Sequence, residues 1–126
     1  MMEHIEKIVS SDRRYGPGAY AFVMEALSYT QKRFRRERHV TGEELLVGVG
    51  ELAVRQFGPL ALPVFQRWGM RSSEDVGYVV FNLVEHGVLG KQEEDTFDSF
   101  RNGRDLEAVF SEEYRKQLAK VTRRLR

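Results

Sequence analysis

Residues 59–87, PLALPVFQRWGMRSSEDVGYVVFNLVEHG, constrain the fold more than any other part of this chain. They hold two apolar-faced helices, a tight glycine turn between them and a glycine stop at the end. Pro59 suits a helix start and Gly69 a helix end. Pro63 sits one turn in, at the limit of what a helix start tolerates, and Leu60, Val64, Phe65 and Trp68 supply the inner face. Ser72 then caps a second helix, with Glu74 and Asp75 in the first turn, where anions meet the positive end of the helix dipole. Val76, Val79, Val80, Leu83 and Val84 recur at the 3.6-residue period and form its buried stripe. Valine is a modest helix former, so packing must hold this helix together. The caps and the period decide for helix over strand.

The rest of the chain extends the helical pattern. Residues 3–10 are a short amphipathic piece carrying Ile5, Ile8 and Val9, and a break centred on Gly16-Pro17-Gly18 separates it from the next helix. Residues 17–37 predict a long helix with Tyr20, Val23, Leu27 and Phe34 on one stripe and a basic last turn. Thr41 and Glu44 fit a capping box opening a helix over 41–57. Gly48 and Gly50 lie inside that helix at a cost of about 1 kcal/mol each against alanine, which predicts a close helix–helix contact there. Beyond Gly87 the pattern weakens: residues 88–100 suit either a short β-hairpin or a loop. Ser111, Glu112 and Glu113 predict the start of a last helix over 111–126, with Phe110, Tyr114, Leu118, Val121 and Leu125 as its stripe and a basic end. The expectation is one mainly α domain over residues 1–126. In finer terms it is a compact multi-helix domain with a winged-helix-like core and a hairpin near 88–100.

Composition narrows the chemistry. There is no cysteine among 126 residues, so disulfides, thiolate metal sites and thiol nucleophiles are excluded. The N-terminus lacks the apolar stretch of a signal peptide, and no window is expected to reach the roughly 18 apolar residues of a membrane span. A cytoplasmic protein without membrane association is the expectation. The net charge of +1 is polarised: residues 1–42 carry +3, residues 43–112 carry −7 and residues 113–126 carry +5. Such asymmetry speaks to partners rather than to fold.

No constellation points to catalysis or to a cofactor. His4, His39 and His86 are far apart and lack metal-site spacing. Ser72-Ser73 reads as a cap, and Gly48-Val49-Gly50 is no phosphate loop because no strand precedes it. Glu93, Glu94, Asp95 and Asp98 lack the spacing of a calcium loop. His39 and Thr41 could meet an anion at a helix N-terminus, but Glu43 and Glu44 compete for the same positive end.

A helix–turn–helix order raises nucleic-acid binding, yet the helix after Ser72 has no Lys or Arg. Its outer face is expected to show Ser73, Glu74, Gly77, Tyr78, Asn82 and Glu85, which repels a polyanion. Nucleic-acid or anion contacts therefore fall to two basic segments. The first offers Arg33, Arg35, Arg36 and Arg38 with His39, and the second Arg115, Lys116, Arg123 and Arg124. The leading expectation is a non-catalytic interaction protein that binds a protein partner or itself. Tyr29, Tyr78 and Asn82 are the candidate partner contacts, and the C-terminal stripe is free either to dock internally or to pair with another chain.

The segments RYGPGAYAFVMEAL, HVTGEELL, QFGPLA, WGMRSSEDVGYVVFNLVEHGVL and EEDTFDSF occur in this order. Together they resemble a small uncharacterised bacterial family, a conserved hypothetical protein of planctomycetes and verrucomicrobia. The resemblance runs from about Arg14 to Phe110, and HVTGEELL and WGMRSSED are its specific parts. It implies a small bacterial cytoplasmic protein and brings no catalytic residues, substrate or cofactor with it.

Overall fold

Two helices cross where one of them has no side chain, and that contact organises the molecule. A Cβ placed on Gly48 would fall 1.8 Å from Thr30 Oγ1 and 3.0 Å from Thr30 Cβ. Thr30 is fully buried and donates its hydroxyl to the Ala26 carbonyl at 2.6 Å, so the backbones meet over a satisfied polar group. Gly50, one half-turn on, would bring a Cβ to 3.3 Å from Val109 Cγ1 on another helix. The two costly glycines thus admit the close contacts expected of them.

The computed structural model describes residues 2–37, 40–90, 100 and 103–125. The chain is mainly α. Helix α1 spans Met2–Ser11, α2 Pro17–Arg33, α3 Gly42–Phe57, α4 Ala61–Arg67, α5 Ser73–Glu85 and α6 Leu106–Leu125, with a 3-10 turn at Gly58–Leu60 between α3 and α4. No strand is present among the described residues, only an isolated antiparallel bridge between Ser72 and Asp105. The expected hairpin falls mostly on residues 91–99, outside the described residues. Helix α2 packs between α3 and α5, while α6 lies across α3 and α4.

The start signals act as expected at α3. Thr41 Oγ1 accepts the Glu44 N–H at 3.0 Å, and the Glu44 carboxylate accepts the Thr41 N–H at 2.9 Å. The core gathers Tyr20, Val23, Leu45, Val49, Phe65, Val76, Val79 and Leu83, all at most 2% exposed. A ring cluster joins α2, α4 and α6: Phe22 to Phe65 at 5.0 Å and Phe65 to Phe110 at 4.8 Å, both edge-on. Trp68 completes it beside Gly18, where a Cβ would collide with the indole.

Several expectations need correction. Helix α2 ends at Arg33 rather than at residue 37, and Leu60, expected on an inner face, is 63% exposed in the 3-10 turn. Helix α6 begins at Leu106, five residues before Ser111, because Asp105 Oδ1 takes the Glu107 N–H at 3.1 Å. Backbone bonds from Ser73 N to Arg104 O and from Leu106 N to Arg71 O pin that earlier start against α5. Ser73 and Gly77 are buried rather than outward-facing, since Ser73 Oγ meets the Phe100 carbonyl and Gly77 lies against the Phe100 ring. Finally, the helical run Gly42–Arg67 is long and apolar enough, by length and composition, to cross a membrane, with a mean hydropathy of 1.3. Half of that window is buried inside the protein, where Leu45, Val49, Leu52 and Ala53 serve the core.

Gly48→Ala is expected to destabilise by up to about 2 kcal/mol: overpacking costs about 1–3 kcal/mol and the better helix former returns about 1. Thr30→Ala in the same chain should recover much of the loss. Urea unfolding of the two single variants and the double variant checks this as a coupling of about 1 kcal/mol or more, and simple additivity would show that the contact is not tight.

Candidate functional site

Helix α6 carries both surfaces that stand out, one on each flank. Its body-facing side starts in the core with Leu106, Val109 and Phe110. Farther along, Gln117 Nε2 donates to the Glu51 carbonyl of α3 at 3.1 Å and to Glu113 Oε1 at 3.1 Å. From residue 118 to residue 125 every side chain is exposed. An isolated helical end of that length is marginal in water, so its composition matters.

One flank is apolar. Tyr114, Leu118, Val121 and Leu125 are 38%, 52%, 49% and 84% exposed and succeed one another at steps of four, three and four residues. That spacing keeps them on one side of the helix. Beside Tyr114 runs a shallow groove of about 390 Å³ walled by Pro59, Leu62 and Pro63, with the 63% exposed Leu60 next to Pro59 in the 3-10 turn.

The other flank is basic. Arg33 from the end of α2, Arg104, and Lys116, Lys120 and Arg123 of α6 border a groove of about 470 Å³. An adjoining groove of about 420 Å³ adds Tyr29, Arg55 and Arg124 and reaches Val121 at the edge of the apolar stripe. The acids there are already engaged. Glu51 accepts the Tyr29 hydroxyl at 2.9 Å and Arg33 Nε at 3.1 Å, Glu113 accepts Gln117, and Glu112 lies 3.5 Å from Lys116. The cations outnumber them, leaving a net positive concavity.

The sequence-derived candidates divide accordingly. Arg33, Lys116, Arg123 and Arg124 come together with Tyr29. Arg36 instead binds Glu44 at 3.1 Å, bracing the start of α3, and Arg35 sits in an exposed turn at φ +56°. Arg115 lines the groove beside Pro59 and Pro63, away from the basic one. Arg38 and His39, like the acidic run 93–98, lie outside the described residues. Lys120, Arg55 and Arg104 join the basic surface although the sequence reading does not single them out. Lys120 is legible in the sequence, being one turn beyond Lys116; Arg104 is not, since only the bonds to α5 bring it there.

Tyr78 and Asn82 are half-buried within an internal clamp. The segment Asp12–Gly16 folds over α5, placing the Arg14 guanidinium 4.5 Å from the Tyr78 ring centre. Asn82 Nδ2 donates to Asp12 Oδ2 at 2.9 Å and to the Tyr20 hydroxyl oxygen at 3.0 Å. Arg14 also pairs with Asp12 at 2.7 Å and holds its carboxyl well below the usual carboxylate range. Tyr15, only 1% exposed, donates its hydroxyl to Asp75 Oδ1 at 2.6 Å. Of the outer positions of α5, only Glu74 and Glu85 are exposed.

Among the described residues, no group of three His, Cys, Asp or Glu side chains is arranged to hold a metal ion. Comparison with family models, curated proteins and solved structures gives no match to this chain.

Proposed function

We propose that this protein is a non-catalytic cytoplasmic interaction domain of bacterial origin whose docking element is the C-terminal half of α6. The observation that carries the reading is the apolar flank Tyr114, Leu118, Val121 and Leu125, which forms one helical stripe and is left in water. The internal engagement of Tyr78 and Asn82 moves the docking role from α5 to α6.

A second reading, nucleic-acid binding, is favoured by one observation: basic residues from both ends of the chain border one groove. The order α3, α4, α5 supports a winged-helix-like core for such a protein. Within it α5 presents Glu74 and Glu85, so contact with phosphates belongs to Arg33, Lys120 and Arg123 instead.

Two measurements separate the readings. The chain has no cysteine, so Leu118→Cys introduces a single thiol. In dilute protein that thiol is expected to react as fast as a free thiol, and slow reaction would mean that the flank is already covered. Fluorescence anisotropy with RNA and DNA oligonucleotides at rising salt tests the second reading. Binding that weakens with salt and is lost in Lys120→Glu with Arg123→Glu supports it, and an absence of binding at low salt removes it.

A further inference from the structure

We propose that the groove between α3 and α6 is a second docking surface, whose occupant is an acidic amphipathic helix of a partner protein. The inference rests on the reading of this protein as an interaction domain and adds the chemistry of a partner, which the apolar flank of α6 does not define.

The groove opens where α6 leaves the body. Among the described residues, the last hydrogen bond from α6 to α3 is that of Gln117 to the Glu51 carbonyl, and from residue 118 onward α6 is exposed. The two walls differ. The α3 wall is aliphatic, with Leu46 and the exposed Val47 beside the bare backbone of Gly50. The α6 wall is cationic, with Lys116, Lys120 and Arg123 at steps of four and three residues, on one side of the helix. Ala119 lies between them and, like Gly50, leaves room for another backbone to come close. An occupant must therefore be two-faced, apolar toward α3 and anionic toward α6. A helix with carboxylates one turn apart on one side and aliphatic residues beside them meets both walls, in the mode by which amphipathic helices fill grooves.

The same groove favours a peptide over a nucleic acid. Lys120 and Arg123 form no ion pair among the described residues, whereas Lys116 lies 3.5 Å from Glu112 and Arg33 is held by Glu51. A neighbouring pair of free cations suits carboxylates spaced one turn apart. A phosphate backbone runs on past them and meets Glu112 and Glu113, which border the same groove. Unpaired bases need aromatic platforms. The aromatic residue at these grooves, Tyr29, has its hydroxyl on Glu51 and the Arg55 guanidinium 5.5 Å from its ring centre. The α3 wall offers aliphatic carbon, which a leucine covers and a phosphate does not. At about 470 Å³ the groove falls within the range of ligand clefts, about 300–1,000 Å³.

The probe is a fluorescein-labelled amphipathic peptide of about four helical turns, with glutamates at i, i+4 and i+7 on one side and leucines beside them, followed by fluorescence anisotropy. Binding in the micromolar range, weakened by salt, is the expected result. Glutamine in place of the glutamates, serine in place of the leucines, and Lys120→Glu with Arg123→Glu in the protein should each weaken it roughly 10-fold or more. Val47→Ser on the α3 wall should weaken it roughly fivefold. Leu118→Glu, on the opposite flank of α6, should leave it unchanged. A serine peptide that binds as well as the leucine peptide overturns the proposal, since charge alone would then suffice. An RNA or DNA oligonucleotide that binds more tightly than the peptide, and is lost in the same double variant, overturns it in favour of nucleic acid. Peptide binding lost in Leu118→Glu but kept in the double variant overturns the groove assignment and leaves the apolar flank as the docking element. No peptide binding at low salt overturns the groove proposal, and the reading of the flank falls with it only if the Leu118→Cys thiol is protected as well.

Discussion

Gly69→Ala is expected to cost this protein about 2–5 kcal/mol, the largest effect of any single methyl in the fold. Two penalties combine at this position. The backbone of Gly69 has φ +95°, a conformation that L side chains rarely adopt, and left-handed geometry costs roughly 1–2 kcal/mol. An added Cβ would also fall 2.0 Å from the backbone carbonyl oxygen of Arg14. That oxygen cannot move away cheaply, because Gly16 N is bonded to Trp68 O at 3.0 Å and holds the two segments together. Overpacking against a fixed group adds about 1–3 kcal/mol. A domain of ordinary stability, about 5–15 kcal/mol, would lose a large share of its margin. Gly87→Ala is the internal control: its φ is +73° and nothing lies within 4 Å of the added methyl, so only the conformational part applies. Urea unfolding of both variants should place Gly69→Ala well below Gly87→Ala. Equal midpoints would show that the 12–16 segment does not press closely on the α4–α5 turn.

That turn also shows what the sequence makes legible and what it hides. Helix starts governed by neighbours three residues apart are readable: Thr41 with Glu44 opens α3, and Pro17 opens α2. Glycines inside α3 announce a close approach, although not that Thr30 and Val109 provide it. The basic segments are visible in the sequence, while their meeting depends on α6 crossing α3 near the end of α2. The errors share one cause. The sequence of α5 alone marks its outer face as solvent-facing, but Phe100 and the Asp12–Gly16 segment cover it from far along the chain. No periodicity within α5 reports which distant loop will lie on its second face. The early start of α6 is hidden for the same reason, since the bonds from Arg104 and Leu106 to Ser73 and Arg71 are long-range.

Asp75→Ala is expected to destabilise by roughly 2–4 kcal/mol, because one carboxylate serves three donors. Its oxygens accept the Tyr15 hydroxyl at 2.6 Å, the Arg71 N–H at 2.8 Å and the Ser72 N–H at 3.2 Å. Loss of the helix-start acceptor costs about 1 kcal/mol, and stranding a buried hydroxyl costs about 1–3 more. Tyr15→Phe removes the stranded donor, so the double variant should lose less than the two single losses combined. Additive losses would mean that the hydroxyl finds water when Asp75 is gone. The same pair predicts a pH dependence. Burial first, and then the bond to Asp75, raise the Tyr15 hydroxyl above its ordinary value of 10.0. Burial does the same, less strongly, for Tyr20 and Tyr29. In the unfolded chain these groups release protons near pH 10 while the fold retains them, so their contribution is complete below that pH and falls as pH rises past it. Unfolding free energy should therefore decline steeply above pH 10, and Tyr15→Phe should remove part of that slope while leaving the slope between pH 7 and 9 unchanged. A variant whose alkaline slope matches the parent would place the lost protons elsewhere and detach Tyr15 from the clamp over α5.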